Sequence, residues 1–176
     1  MMTITWNFPN ELGFPNGKDE SVTPARAIPD TVHGLTETGI AFVQEMERLG
    51  MIIDISHLND AGIWDVFRYT RKPFVASHSN ARALAGHPRN LTDDQFRAIC
   101  DLGGTAGLNL YVPFLTEQPR ASFDDLRRHL DHFLELAGLA REEIYISNVV
   151  KIRPTKTGST GRLSNRPPTK EEIAFF

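Results

Sequence analysis

MIIDISHLNDAGIWDVFRYTRKPFVASHSN, residues 51–80, decides the fold. It holds two short apolar runs, Met51–Ser56 and Pro73–Ser77, and each ends in Ser and is followed by His. Between them Asn59 or Asp60 can cap a helix that reaches about Tyr69. Strand, helix, strand in about 27 residues is the signature of a βα unit with parallel strands.

The same rhythm extends outward on both sides. Upstream, Thr36 caps a helix over 37–49, with Ile40, Val43, Met46 and Leu49 roughly on one face and Gly50 at its end. Downstream, Thr92 and Asp93 open a third helix that Gly103 and Gly104 close, and a strand follows over 105–112. Ser122 opens a fourth helix to about Ala137, and a fourth strand is expected over 144–150. Residues 1–34 read as irregular, because Pro9, Pro15, Pro24 and Pro29 forbid long regular elements. The expectation is an α/β fold with a parallel sheet of alternating strands and helices, followed by a basic, irregular C-terminal tail.

Composition narrows the classes further. The 176 residues are 40% hydrophobic and 23% charged, which excludes whole-chain disorder and fibrous classes. No apolar run approaches the roughly 18 residues of a membrane span, so no membrane partner is expected. The single Cys100 cannot form an internal disulfide, which fits a cytoplasmic location. The net charge of -3 gives no global reason for nucleic-acid binding. The charge is uneven, however. Residues 1–138 carry 12 basic and 18 acidic residues, whereas residues 139–176 carry 7 and 4. Lys151 to Lys170 holds six basic residues and no acidic one, among Pro, Gly, Ser and Thr. Such a shift marks a boundary, with either a solvated tail or a segment facing phosphates beyond it.

His57 and His78 follow equivalent strand ends, one βα unit apart. In a parallel sheet both emerge at the C-terminal edge, where α/β enzymes build their sites. Neutral imidazoles from adjacent strands can share a zinc ion, although a lone histidine after a strand is usually a loop residue. Arg89, in Gly86-His-Pro-Arg-Asn90, lies over the same edge, where its guanidinium can clamp a carboxylate or simply face solvent. His129 and His132 sit at i, i+3 on the fourth helix and read as surface or interface residues; His33 is uninformative.

In chain order, Thr3-Ile-Thr-Trp-Asn7, Gly34-Leu-Thr36, Glu45-Met-Glu-Arg-Leu-Gly-Met51, Asp54-Ile-Ser-His57, Ser77-His-Ser-Asn-Ala81 and Arg89-Asn-Leu-Thr-Asp93 resemble the membrane (renal) dipeptidase family. The resemblance covers about residues 3–138. It implies a (β/α)8 barrel, a two-zinc site and hydrolysis of dipeptides by metal-activated water. It implies that His57 and His78 bind one of the two zincs and that Arg89 holds the substrate's C-terminal carboxylate. The family's His-x-Asp, bridging Glu and a further active-site His would lie upstream of Thr3. The strand expected over 144–150 lacks the Asp of the family's Asp-Phe-Asp-Gly stretch. The resemblance therefore implies the middle of a barrel: a truncated, inactive dipeptidase fragment with no catalytic residue of its own and at most one weak zinc site.

Residues 138–176 resemble a piece of the uracil-DNA glycosylase family that often carries an iron–sulfur cluster, through Arg141-Glu-Glu-Ile-Tyr-Ile-Ser-Asn148, Arg153-Pro154 and Asn165-Arg-Pro-Pro-Thr169. That resemblance implies base contact by Asn148 and a DNA partner for Lys151 and Arg153. Ile152 stands where cluster-bearing members have Cys, so no cluster is implied. Two domains, 1–138 and 139–176, are the expectation. A DNA-binding segment and a non-catalytic chimeric protein are the alternatives to the dipeptidase reading.

Overall fold

In the computed structural model, residues 1–140, 142, 155–157 and 163–165 are described. The chain divides into two compact units, Met1–Leu139 and Ala140–Phe176. In the second, strands Thr155–Thr157 and Leu163–Asn165 form an antiparallel pair. The strand expected over 144–150, and with it Asn148, Lys151 and Arg153, lies outside the described residues.

The first unit is built around a four-stranded sheet. Its strands are β1 (Met2–Thr3), β4 (Ile53–Asp54), β5 (Val75–Ala76) and β6 (Thr105–Ala106), neighbours in that order and all parallel. An antiparallel hairpin, β2 (Gly17–Asp19) with β3 (Arg26–Ile28), stands apart from it. The lead-in expected to be irregular therefore contains three short strands. The prolines limit their length but leave β1 free to pair with β4 through Met2 N–H and the Ile52 carbonyl, 2.9 Å apart.

The crossovers are helical, and each begins on its capping side chain. α1 (Glu37–Arg48) starts where Thr36 Oγ1 accepts from Gly39 N–H at 3.0 Å. α2 (Asp60–Tyr69) starts where Asn59 Oδ1 accepts from Gly62 N–H at 2.8 Å. α3 (Asp93–Asp101) opens on a reciprocal Thr92–Gln95 capping box. α5 (Phe123–Ala137) opens on a Ser122–Asp125 box and ends at Gly138, whose φ of 65° suits a residue without Cβ. The strands are shorter than the apolar runs suggest, because only residues with a paired neighbour join the sheet. Residues 105–112 diverge most. After two sheet residues the chain leaves, and Val112–Leu115 forms a four-residue helix, α4, with Pro113 in its first turn.

The core lies between the sheet and its helices. Val43, Val66, Ile55, Phe74 and Ile99 are essentially sealed from solvent. Each stabilises the fold by ~1.5–3 kcal/mol through burial. Phe96 of α3 stacks on Phe133 of α5 with ring centroids 4.0 Å apart and planes 3° from parallel. His129 is fully buried beside them, not on the surface as its helical spacing suggests. Its Nδ1 accepts from Ala81 N–H at 3.0 Å, and its Nε2–H donates to the Leu115 carbonyl at 3.0 Å. His132 is half-covered and reaches Asp93 at 2.9 Å. No helix among the described residues is long and apolar enough to cross a membrane.

Candidate active site

The C-terminal edge of the sheet carries the candidate residues, as the parallel topology requires. β4 ends at Asp54 and β5 at Ala76, so Ile55-Ser-His57 and Ser77-His78 are the first residues beyond the paired strands. The loop after β6 is pressed against them. Gly107 N–H donates to the Ala76 carbonyl, and the Gly107 carbonyl accepts from Ser79 N–H, both at 2.7 Å. A Cβ at Gly107 would stand 2.3 Å from the Ser77 carbonyl oxygen, so only glycine allows this approach.

Asp54 organises the edge. Its carboxylate is buried and accepts from Thr3 Oγ1, from the N–H and hydroxyl of Ser56, and from the N–H and hydroxyl of Ser77. Burial alone would raise its pKa; the serine donors outweigh that and hold it below the ordinary carboxylate value. Ser77 Oγ also lies 2.6 Å from His78 Nδ1, and Ser56 Oγ accepts from His78 N–H at 3.0 Å.

The structure brings His57, His78 and Arg89 together. The Nε2 atoms of the two histidines are 3.0 Å apart. Arg89 Nε donates to the Ser56 carbonyl at 2.6 Å, and Arg89 Nη1 donates to His57 Nδ1 at 2.9 Å. Burial, then the Arg89 charge, then His78 push the His57 pKa down to about 4. Burial and Arg89 lower His78 as well. Both rings are therefore neutral near pH 7, the form that binds metal. Arg89 is lowered to about 10 by burial and stays cationic.

These groups line a cavity of about 560 Å³, together with Phe114, Tyr111, Asn16 and, from the hairpin, Gly17 and Lys18. His87 lines it too, a residue the sequence did not mark. Its Nδ1 accepts from Arg89 N–H at 3.1 Å, its ring lies 4.4 Å from that of Phe114, and burial lowers its pKa to about 4. The signal was available: a histidine two residues before Arg89 in a tight Pro-containing turn. A larger neighbouring cavity of about 650 Å³ shares Ala27 and His87 but brings none of the other candidates together.

Two buried side-chain atoms lack a hydrogen-bond partner among the described residues, Arg89 Nη2 and Asn16 Oδ1. Both residues border the 560 Å³ cavity. A buried guanidinium nitrogen without an acceptor is costly to leave so, and a carboxylate would satisfy it.

Two imidazole nitrogens 3.0 Å apart fit two positions around one zinc ion, whose bonds to histidine nitrogen run about 2.0–2.1 Å. Among the described residues, no three or more His, Cys, Asp or Glu side chains converge to hold a metal.

A model of the membrane dipeptidases, peptidase family M19, matches residues 1–144. An uncharacterized protein from the pqqA 5′ region of Klebsiella pneumoniae is 40% identical over 137 residues, which is 76% of this chain and 49% of that protein. A metallopeptidase of Rhodobacter sphaeroides, solved with a phosphinate mimic of the dipeptide L-Ala-D-Ala, superposes with a TM-score of 0.67 at 35% identity, covering 77% of this chain and 38% of that one. A second solved structure, a dipeptidase of family M19, gives 0.67 at 38% identity, covering 76% and 39%. The chain thus spans half or less of the length of these relatives. The resemblance of residues 138–176 to uracil-DNA glycosylases finds no support among them.

Proposed function

Because the chain belongs to the membrane dipeptidase family, peptidase family M19, we propose that its first unit carries part of a metallo-dipeptidase site: the carboxylate clamp and two nitrogen ligands of one zinc. Members of this family are metal-dependent hydrolases. The observation that carries the reading is the unpartnered Arg89 Nη2 beside the converged His57 and His78.

Arg89 is positioned before any substrate arrives. Its Nε and Nη1 are held by Ser56 and His57, which leaves Nη2 as the donor for one oxygen of a dipeptide's C-terminal carboxylate. Phe114, whose ring centre is 5.5 Å from the guanidinium carbon, restricts its motion and excludes water from one face. The neutral histidines face the same cavity, where a bound zinc would polarise the peptide carbonyl and activate water. The exposed Trp6 and Tyr111 stand at the mouth, suited to apolar side chains of a small peptide.

On this reading the isolated chain should bind zinc weakly and should not turn over dipeptide, since His57 and His78 alone supply two nitrogen ligands. The test is calorimetry on the chain with zinc and L-Ala-D-Ala or its C-terminal amide. The free dipeptide should bind at least about tenfold more tightly than the amide, since a charge-assisted pair contributes ~1.5–3 kcal/mol. Arg89→Met should erase that difference. Equal affinity for acid and amide would refute the clamp, and hydrolysis at the rate of an intact peptidase would refute the partial site.

A further inference from the structure

The hydrogen bonds at the sheet edge form a continuous chain, and each link has a direction. Arginine has only donors, so Arg89 Nη1–H must donate to His57 Nδ1, 2.9 Å away. His57 is neutral and accepts at Nδ1, so its one ring proton sits on Nε2. At the other end, Asp54 is an ionised carboxylate and only accepts. The single hydroxyl proton of Ser77 goes to Asp54 Oδ2 at 2.5 Å. With that proton committed, Ser77 Oγ can only accept at its 2.6 Å contact with His78. The ring proton of His78 is therefore on Nδ1, and its Nε2 is a lone pair.

The two ends were assigned independently, and they agree in the middle. Arg89 places a proton on His57 Nε2, and Asp54 places a lone pair on His78 Nε2. These are the two atoms 3.0 Å apart, a proper N–H···N hydrogen bond. Had either end dictated the opposite tautomer, the pair would face proton to proton or lone pair to lone pair.

We infer that Asp54 and Ser77 are positioning residues: at the end of a one-way relay of hydrogen bonds, Arg89 to His57 to His78 to Ser77 to Asp54, they hold the His78 proton on Nδ1 and leave its Nε2 lone pair available to a metal, whereas the proton on His57 Nε2 must be displaced before that ring can ligate. Its relevance to zinc rests on the dipeptidase reading above; the proton assignments do not. The carboxylate lies two links from the cavity, so it acts through His78 and touches no substrate. Ser56 supports it, since its hydroxyl also donates to Asp54 and its oxygen accepts from His78 N–H. Carboxylate partners of this kind orient metal-binding histidines widely.

The full chain, labelled with ¹⁵N and stripped of metal by a chelator, tests the relay through the tautomer-specific correlation pattern of each imidazole. Wild type should show His78 with its proton on Nδ1 and His57 with its proton on Nε2. His129, protonated on Nε2 by its own backbone partners, serves as an internal reference. Ser77→Ala should move His78 toward the Nε2–H form and weaken zinc binding by ~10–100-fold. Ser77→Thr, which keeps the hydroxyl, should restore both. If Ser77→Ala does not fold, the near-isosteric Asp54→Asn should perturb the same ring. A wild-type His78 protonated on Nε2, or a His78 tautomer unmoved by Ser77→Ala, would overturn the relay. Correct tautomers without any zinc binding would instead overturn the metal-ligand reading and leave the relay standing.

Discussion

His129 on α5 and His57 beyond β4 are both drawn inside and both kept neutral, yet their surroundings differ in kind. Backbone partners engage both nitrogens of His129, one accepting from Ala81 and one donating to Leu115. Nothing around it is left over. Around His57, one nitrogen meets an arginine and the other meets a second histidine at the wall of a cavity, with an unpartnered guanidinium nitrogen beside them. The first arrangement closes the fold. The second leaves a buried donor unmet, which the proposed carboxylate clamp would satisfy. Burial alone does not distinguish the two histidines; their hydrogen-bond partners do.

Substitutions on the two sides should therefore fail differently. The largest effect is expected on the closed side at Asp60, whose buried carboxylate takes two bonds of 2.7 Å from Arg82 and one of 2.9 Å from Gln95. Asp60→Ala strands the Arg82 charge and should cost ~3–5 kcal/mol in a denaturant titration. His129→Ala comes next, at ~3 kcal/mol, because it opens a cavity beside Ala81 and Leu115 and orphans Ala81 N–H. On the open side, His57→Ala should change stability by less than ~1 kcal/mol, since it removes a desolvated base held beside a cation, a change of the size most substitutions cause. Its zinc affinity should nonetheless fall by more than ~10-fold. A large stability loss with His57→Ala would break the contrast.

A smaller effect is expected from pH. Burial and the neighbouring Arg89 and Arg82 charges depress His87 from 6.5 to about 4 in the folded chain. The unfolded chain therefore takes up the proton first as pH falls. The stability is fully present above pH 6.5 and is lost as pH falls through about 4. Thermal melts of His87→Phe should show a shallower decline over that window than wild type. The smallest change belongs to neither region: Arg48→Ala removes an exposed pair with Glu45 and should stay within ~0.5 kcal/mol.

Local chemistry made much of this legible in the sequence. The caps Thr36, Asn59, Thr92 and Ser122 are each followed by apolar residues at helical spacing, and all four helices begin where those residues predict. His57, His78 and Arg89 could be placed at one edge because a parallel sheet leaves few other choices. What depends on distant partners was less legible. β1 is two residues long and exists only through β4. α4 displaced the end of an expected strand because Pro113 and the buried Phe114 favour a turn there. His129 is buried because it falls on the stripe of Leu126 and Phe133, a placement its polar ring and its spacing to His132 conceal in the sequence. The partnership of Asp54 and Ser77 with the histidines is invisible in the sequence, since a run of hydrogen bonds has no sequence pattern.

Gly107 gives this edge a further property. The carbonyl it crowds belongs to Ser77, the residue that links His78 to Asp54. A change to alanine takes one base in a glycine codon, and the added methyl would have to push that carbonyl aside. In a random mutagenesis screen scored for loss of metal retention with the fold preserved, codon 107 should therefore recur beside the histidine codons, although its residue carries no functional group at all.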